Sequence, residues 1–237
     1  MKSLFTHWIN EFNVCADNVE YKSSEFGNIP KTWDVKKLGD ILISLESGKR
    51  PTGGITEINE GIPSIGAENI LGLGKFDYSK NKLIPEEFYK NMKKGIVKDK
   101  DVLLYKDGAQ LGRKSLFMDN FPFEKCCINE HVFILRPNEN VSPYYLYLWL
   151  DQKMMTNEII ALNSNSAQPG INQKGVKSLS ILIPDKESMN KFNKTFEPLM
   201  KKIFVNANEN QKLTKLRDTL LPKLMSGEID VSDINFD

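Results

Sequence analysis

The sequence predicts an α/β (α+β) chain: one mixed, many-stranded globular domain followed by a long C-terminal helix of coiled-coil-forming character. Two observations predict it. From Trp33 to Ile183, short segments rich in β-branched and aromatic residues are closed repeatedly by Gly, Pro or Asp-Gly, the texture of strands and turns. From Asp185 to Gly227 no glycine interrupts the chain until the last position, and apolar residues recur in steps of four and three, the signature of a helix with a heptad seam. The organisation expected is a helical tail and linker (1–28), a globular domain (29–184), a long helix (185–227) and a short C-terminal tail (228–237).

Taken in order, Leu4, Phe5, Trp8, Ile9 and Phe12 fall on one face of a first helix, and the polar stretch Asn13 to Asn28 reads as a linker. Trp33 to Leu38 alternates at period two, as a half-buried strand does. Gly48 to Gly54 has loop chemistry, and Gly61 to Gly66 frames a short strand. Asp101 to Tyr105 reads as a buried strand, turned at Asp107-Gly108 into a return strand near Lys114 to Met118. His131 to Leu135 is another strand closed by Pro137, and Ser142 to Leu150 a helix opening with Pro143 at its first position. Val176 to Ile183 is expected as the last strand.

The long helix starts at a cap, Asp185 or Ser188. Its seam reads Phe192, Phe196, Leu199, Ile203, Asn206, Asn210, Leu213, Arg217, Leu220 and Leu224. At 1.5 Å per residue such a helix reaches on the order of 55–60 Å, too long for the surface of a compact domain, so a second long helix is the expected partner, with a helix laid across its own domain as the alternative. Pro198 and Pro222 each remove a helix hydrogen bond and predict kinks. Asn206 and Asn210 place polar groups at the centre of the seam, where they fix register and partner number at some cost in stability.

With 40% apolar and 10% aromatic residues, the 237-residue chain can fill a real core. Its formal charge is only +1, so composition alone does not point to nucleic acid. Three cysteines, Cys15, Cys126 and Cys127, have no metal-ligand spacing and read as reduced thiols of a cytoplasmic protein. No apolar run reaches membrane-span length, and the start lacks the pattern of a signal peptide, so no membrane partner is expected.

The ending Leu216-Arg217-Asp218-Thr219-Leu220-Leu221-Pro222-Lys223-Leu224-Met225-Ser226-Gly227-Glu228-Ile229 resembles the end of the helical region in specificity (S) subunits of type I restriction–modification systems. Ile29-Pro30-Lys31-Thr32-Trp33-Asp34-Val35-Lys36-Lys37-Leu38 resembles the opening of their target recognition domains. Asp101 to Leu104 with Asp107-Gly108-Ala109 and Gly112, then Ile128-Asn129-Glu130-His131-Val132-Phe133-Ile134-Leu135, then Ala167 to Gln173 leading into Leu182-Ile183-Pro184, follow in the family's order. Leu4 to Phe12 resembles the stretch after the first long helix of a full-length subunit, so the chain is similar to a second half, with one recognition domain.

The resemblance implies a non-catalytic subunit. It would recognise one half of a bipartite double-stranded DNA target and dock methyltransferase (M) subunits and, through them, restriction (R) subunits. S-adenosylmethionine, ATP and Mg²⁺ are then expected on those partners, with no cofactor and no metal in this chain. A single recognition domain implies an antiparallel homodimer through the helix seam, or pairing with another S polypeptide. Two alternatives stand beside this reading: an interaction or assembly module for M subunits that does not read DNA, and a stand-alone nuclease or methyltransferase.

Candidate DNA contacts are polar residues on glycine-punctuated loops. Lys49, Arg50 and Thr52 form one group, Lys106, Gln110, Arg113 and Lys114 a second, and Gln168, Asn172 and Lys174 a third. Gln and Arg pair with adenine and guanine edges, whereas Lys positions the protein on phosphate. Lys90, Lys93, Lys94, Lys98 and Lys100 make a further basic run.

For catalysis the sequence offers little. Asp119-Asn120-Phe121-Pro122-Phe123 lacks the paired prolines of an amino-methyltransferase, and Gly48-Lys49-Arg50 lacks the glycine spacing of a phosphate loop. Pro184-Asp185-Lys186-Glu187 has nuclease letters in a place where a helix cap already explains them. His7 and His131 have no nucleophile at a telling spacing.

Overall fold

The computed structural model describes residues 1–14, 20–51, 58–163 and 170–229. A first helix α1 (Lys2–Val14) leads to a hairpin, β1 (Tyr21–Ser24) with β2 (Gly27–Pro30). Then come β3 (Asp34–Lys37), the single turn α2 (Leu38–Ile41), β4 (Leu42–Ser47), β5 (Ile62–Ile65), β6 (Leu83–Ile84) and α3 (Glu86–Lys90). The strands β7 (Val102–Tyr105), β8 (Lys114–Leu116), β9 (Cys127–Ile128) and β10 (Val132–Pro137) precede α4 (Pro143–Leu150), α5 (Lys153–Ala161) and α6 (Gln173–Ser178). The chain closes with β11 (Ser180–Ile183) and α7 (Lys186–Met225).

The organising sheet is antiparallel, in the order β4-β10-β7-β8. Its two central strands are buried on both faces, which is why they read as unbroken apolar runs rather than as alternation. Val102, Leu104, Phe133 and Leu135 enter one core, while Leu103, Val132 and Ile134 enter another with Ile65, Phe117, Cys126 and Ile128. The period of two thus sorts neighbours in sequence into two separate interiors. The second core is floored by the small sheet β6-β5-β9, in which β5 and β9 are parallel. Burial pushes the Cys126 thiol well above its ordinary pKa and the Cys127 thiol up to about 11, so both act as apolar filling rather than as reactive groups.

The larger core is built around α4. Its residues Tyr144 to Leu150 are all buried, and Tyr145 and Trp149 donate to the carbonyls of Leu182 (2.7 Å) and Ser180 (3.1 Å), fastening the helix to β11. Against it lies an aromatic cluster from three parts of the chain. Phe192 sits 5.2 Å from Trp8, 5.3 Å from Tyr145 and 4.4 Å from Phe196, ring centre to ring centre.

Four expectations are corrected by these contacts. The N-terminal helix is not a tail, because Phe5 and Trp8 are part of the main core. The 13–28 stretch is not all linker, since its last residues form the β1–β2 hairpin. Val176 to Ser178 is the end of α6, whose cap is Asn172, rather than the start of the final strand. The seam of α7 is the fourth. Phe192 and Phe196 face their own domain, and the buried positions run Met189, Phe192, Phe196, Met200, Phe204 and Ala207. That spacing follows the helix's own 3.6-residue period, the stripe required by a helix lying on a globule, rather than a heptad. Leu199, expected on the seam, is exposed, and Ile203 is half-buried over Gly74.

Beyond Ala207 the helix leaves the domain. Asn210, Leu213, Arg217, Leu220 and Leu224 are all exposed there, as Asn206 is just before. Asp185 caps its start by accepting from the Ser188 N–H at 2.8 Å. It runs helical through both Pro198 and Pro222, which lie on exposed positions where water can satisfy the carbonyls they leave unpaired.

Candidate nucleic-acid interface

The register of the main sheet brings four strand ends together. Ser47 pairs with Phe133, Val132 with Tyr105, and Leu104 with Lys114, so the ends of β4 and β7 meet the starts of β8 and β10. The segments 48–51, 106–113 and 129–131 therefore emerge side by side. The 170–172 segment joins them: the Ile171 N–H donates to the Lys106 carbonyl at 2.7 Å, and Gly170 bridges Asp107. The opposite end of the sheet belongs to α7, where Phe121 packs on Phe204 and Asn208 donates to the Asp119 carbonyl. One end of the scaffold carries loops and the other carries the helix.

Gly48 makes the close approach possible. A Cβ there would lie 1.7 Å from the Ile128 carbonyl oxygen, so only glycine lets the two backbones cross. The crossing seats Arg50 beside Glu130 and His131. Its Nε forms an ion pair with Glu130 Oε1 at 2.5 Å, and its Nη2 donates to His131 Nε2 at 2.5 Å. An arginine can only donate, so His131 Nε2 is an acceptor and the ring proton sits on Nδ1. Nδ1 in turn donates to Asp107 at 2.8 Å. Lys49 is exposed next to Arg50, and Gly95, packed on Gly48, brings the exposed Lys93 and Lys94 to the same rim. Lys106 lays its Nζ 5.0 Å from the centre of the Phe133 ring, and Gln110 is exposed at the tip of its loop.

The other candidates separate. Arg113 is exposed but faces a different hollow, lined also by Lys2, Leu71, Lys75, Tyr147 and Asp151. Lys114 is not available to a phosphate. Its side chain is 2% exposed, and its Nζ donates to Thr156 Oγ1 at 2.7 Å with Asp151 at 3.7 Å. Burial lowers the Lys114 pKa to about 8 despite the pull of Asp151. Asn172 spends its side chain accepting from the Gly175 N–H as the cap of α6, while Lys174 is exposed in that helix's first turn. Thr52 and Gln168 lie outside the described residues. Lys100 is drawn away from the basic run, its Nζ 5.8 Å from the centre of the Tyr144 ring.

Beneath the loops an ion cluster locks the sheet. Arg136 grips Asp101 with two donors (2.6 and 2.8 Å), Glu46 with a third (2.7 Å) and the Ile96 carbonyl at 2.8 Å. Burial raises the Asp101 pKa and outweighs the arginine, whereas for Glu46 burial is outweighed by bonds from Ser44, the Gly95 N–H and Arg136, so that its pKa falls. Sequence reasoning missed both this cluster and the Asp107–His131–Arg50 chain. Asn129-Glu130-His131 was legible as a motif, but no spacing ties position 131 to positions 50 and 107.

The Type I restriction modification DNA specificity domain family matches residues 30–215, most of the chain. The MjaIX specificity subunit of a type I restriction enzyme from Methanocaldococcus jannaschii is 29% identical over 233 residues, covering 98% of this chain and 52% of that subunit. The HindI specificity subunit of Haemophilus influenzae is 34% identical over 102 residues, 43% of this chain and 22% of that protein. Among solved structures, the HsdS subunit from Thermoanaerobacter tengcongensis aligns with a TM-score of 0.54 at 16% identity, over 96% of this chain and 51% of that one. The type I S subunit from M. genitalium gives 0.54 at 17%, over 94% and 49%. At such identities the likeness is one of fold: a mixed domain with a long C-terminal helix. The chain spans about half the length of the M. jannaschii relatives it matches, all of them named as specificity subunits rather than catalytic ones. On the match over residues 30–215, this chain belongs to the type I restriction–modification DNA specificity domain family.

Proposed function

We propose that the chain addresses a type I restriction–modification complex to DNA by recognising one half of a bipartite duplex target. The loops at the β7/β10 end of the sheet form the reading surface. The projecting part of α7 pairs with a second recognition polypeptide, an antiparallel copy of this chain being the closed and symmetric solution. Docked methyltransferase subunits, and restriction subunits through them, supply the chemistry with S-adenosylmethionine, ATP and Mg²⁺.

The observation that carries this reading is the division of α7. Its first half is core, while Leu213 (55% exposed), Leu216 (54%), Leu220 (37%) and Leu224 (40%) line the second half bare to solvent. Leucines three and four apart on a free helix are a seam without a mate. No helix among the described residues is long and apolar enough to cross a membrane, so a second protein helix is the occupant this stripe suits.

Sedimentation together with duplex binding tests it. A dimer at micromolar concentration, and a specific gel shift that survives raised salt, are expected; phosphate binding alone fades steeply with salt. A strict monomer that still supports sequence-specific methylation overturns the pairing. Methylome sequencing of cells with and without the gene should remove one split motif, palindromic if two copies pair. The near-neutral charge of +1 favours the rival reading, an assembly module for methyltransferase subunits that does not touch bases. Loss of all duplex preference in the assembled complex would establish that rival.

A further inference from the structure

The Arg50 cluster specifies a contact finer than the reading surface as a whole. A guanidinium has two edges that can grip a pair of acceptors: the side edge, Nε with one Nη, and the end edge, both Nη atoms. Here the side edge is taken. Nε is in an ion pair with Glu130 Oε1, Nη2 donates to His131 Nε2, and these two partner atoms lie 3.3 Å apart on adjacent residues. Asp107 fixes the imidazole from behind through Nδ1, at 2.8 Å from one carboxylate oxygen and 3.0 Å from the other. The end edge is left. Nη1 has no partner among the described residues, and the Arg50 side chain is 39% exposed.

The charge of the cluster selects between the two ligands an end edge can take. Arg50 is already paired with the carboxylate of Glu130 and donates to an imidazole held from behind by that of Asp107. A guanidinium so paired holds a phosphate less strongly than the unpaired lysines around it. It does suit a neutral pair of acceptors, and in the major groove the O6 and N7 atoms of guanine offer one to a bidentate arginine. Phosphate holding is left to Lys49, Lys93, Lys94 and Lys106 around it.

We propose that Arg50 reads a guanine in the half-site through its end edge, and that Glu130, His131 and Asp107 are positioning residues that hold the guanidinium in that pose. This rests on the reading above of the loop end as a DNA surface.

The test is selection of preferred sequences from a randomised duplex library by the full chain and by its Arg50→Lys, Arg50→Ala and Glu130→Ala variants, each checked for an unchanged thermal midpoint. Arg50→Lys keeps the charge and loses the planar fork. Both Arg50 variants should lose preference for guanine at one position, by about 5- to 150-fold, with the remaining motif and the salt dependence of binding intact. Glu130→Ala should weaken the same position and no other, an outcome that a merely structural role for Glu130 does not produce. An Arg50→Ala motif that keeps every guanine, or a loss spread evenly over all sequences with a shallower salt slope, overturns the inference and makes Arg50 a phosphate contact or a bystander. If the wild-type chain selects no motif, this inference and the proposed function fail together; if it selects one that Arg50→Ala leaves unaltered, only this inference fails.

Discussion

Replacing Phe192 by alanine separates the two halves of α7 by experiment. Phe192 is fully buried between Phe5, Trp8, Tyr145 and Phe196. A buried phenylalanine removes ~200 Å² from water, worth ~5 kcal/mol at ~25 cal/mol/Å², and measured Phe→Ala losses of ~3–5 kcal/mol bracket that value. For a chain of this size ~1 kcal/mol moves the thermal midpoint by ~2–4 °C, so a loss of ~4 kcal/mol lowers it by ~8–16 °C. Because the contacts lie within one chain, the shift should be the same at protein concentrations about a hundredfold apart. Leu220→Ala should behave in the opposite way. It changes monomer stability by at most ~0.5 kcal/mol; on the proposed pairing it weakens self-association, so its midpoint deficit should appear only at concentrations where two copies pair. Calorimetry at the two concentrations, with sedimentation in parallel, reads both. A concentration-dependent deficit for Phe192→Ala, or a midpoint within 2–3 °C of wild type (~1 kcal/mol), refutes the assignment of that residue to the core.

Other perturbations follow from the buried charges and the cationic rim. Arg136→Ala strands the carboxylate of Asp101, only 2% exposed, and half-satisfies Glu46, so a loss of ~3–5 kcal/mol is expected in urea unfolding; Arg136→Met should cost nearly as much. Lys114 gives a pH signature. With its pKa near 8 in the folded chain and at the ordinary lysine value of 10.5 when unfolded, the unfolded state binds the extra proton between those values. The stability of the wild type should therefore rise with pH from about 8 to 10.5, and Lys114→Met should flatten that rise. Lys49→Ala should weaken binding to every duplex alike and reduce the salt slope of the affinity by about one, as measured by anisotropy titration at several salt concentrations.

Much of the architecture was legible because it rests on local patterns. The unbroken runs Val102–Tyr105 and Val132–Leu135, the Pro143 helix start and the Asp185 cap each carry their signal within a few residues. What escaped depends on distance in the chain. Whether Phe192 faces a neighbour or its own globule is decided by Phe5 and Tyr145, and a four–three step pattern cannot distinguish the two until the slow drift between 3.5 and 3.6 residues per turn accumulates. Lys114 looked like a loop cation because it follows Gly112 and Arg113, yet the pleat turns its side chain inward onto Thr156. Asn172 looked like an amide free to read bases, whereas short polar side chains before a helix are claimed by its N–H groups. The Arg50 cluster joins residues 50, 107, 130 and 131, and only folding brings them together.

A sheet whose centre is enclosed above and below has no spare surface along its length. Exchange of almost any residue inside β7 or β10 disturbs one interior or the other. Exposed residues of the segments at one margin, Lys49 and Gln110 among them, enter neither interior and can change while the platform beneath them stays as it was. On the proposed function, a change of target would then require no new solution to the folding problem.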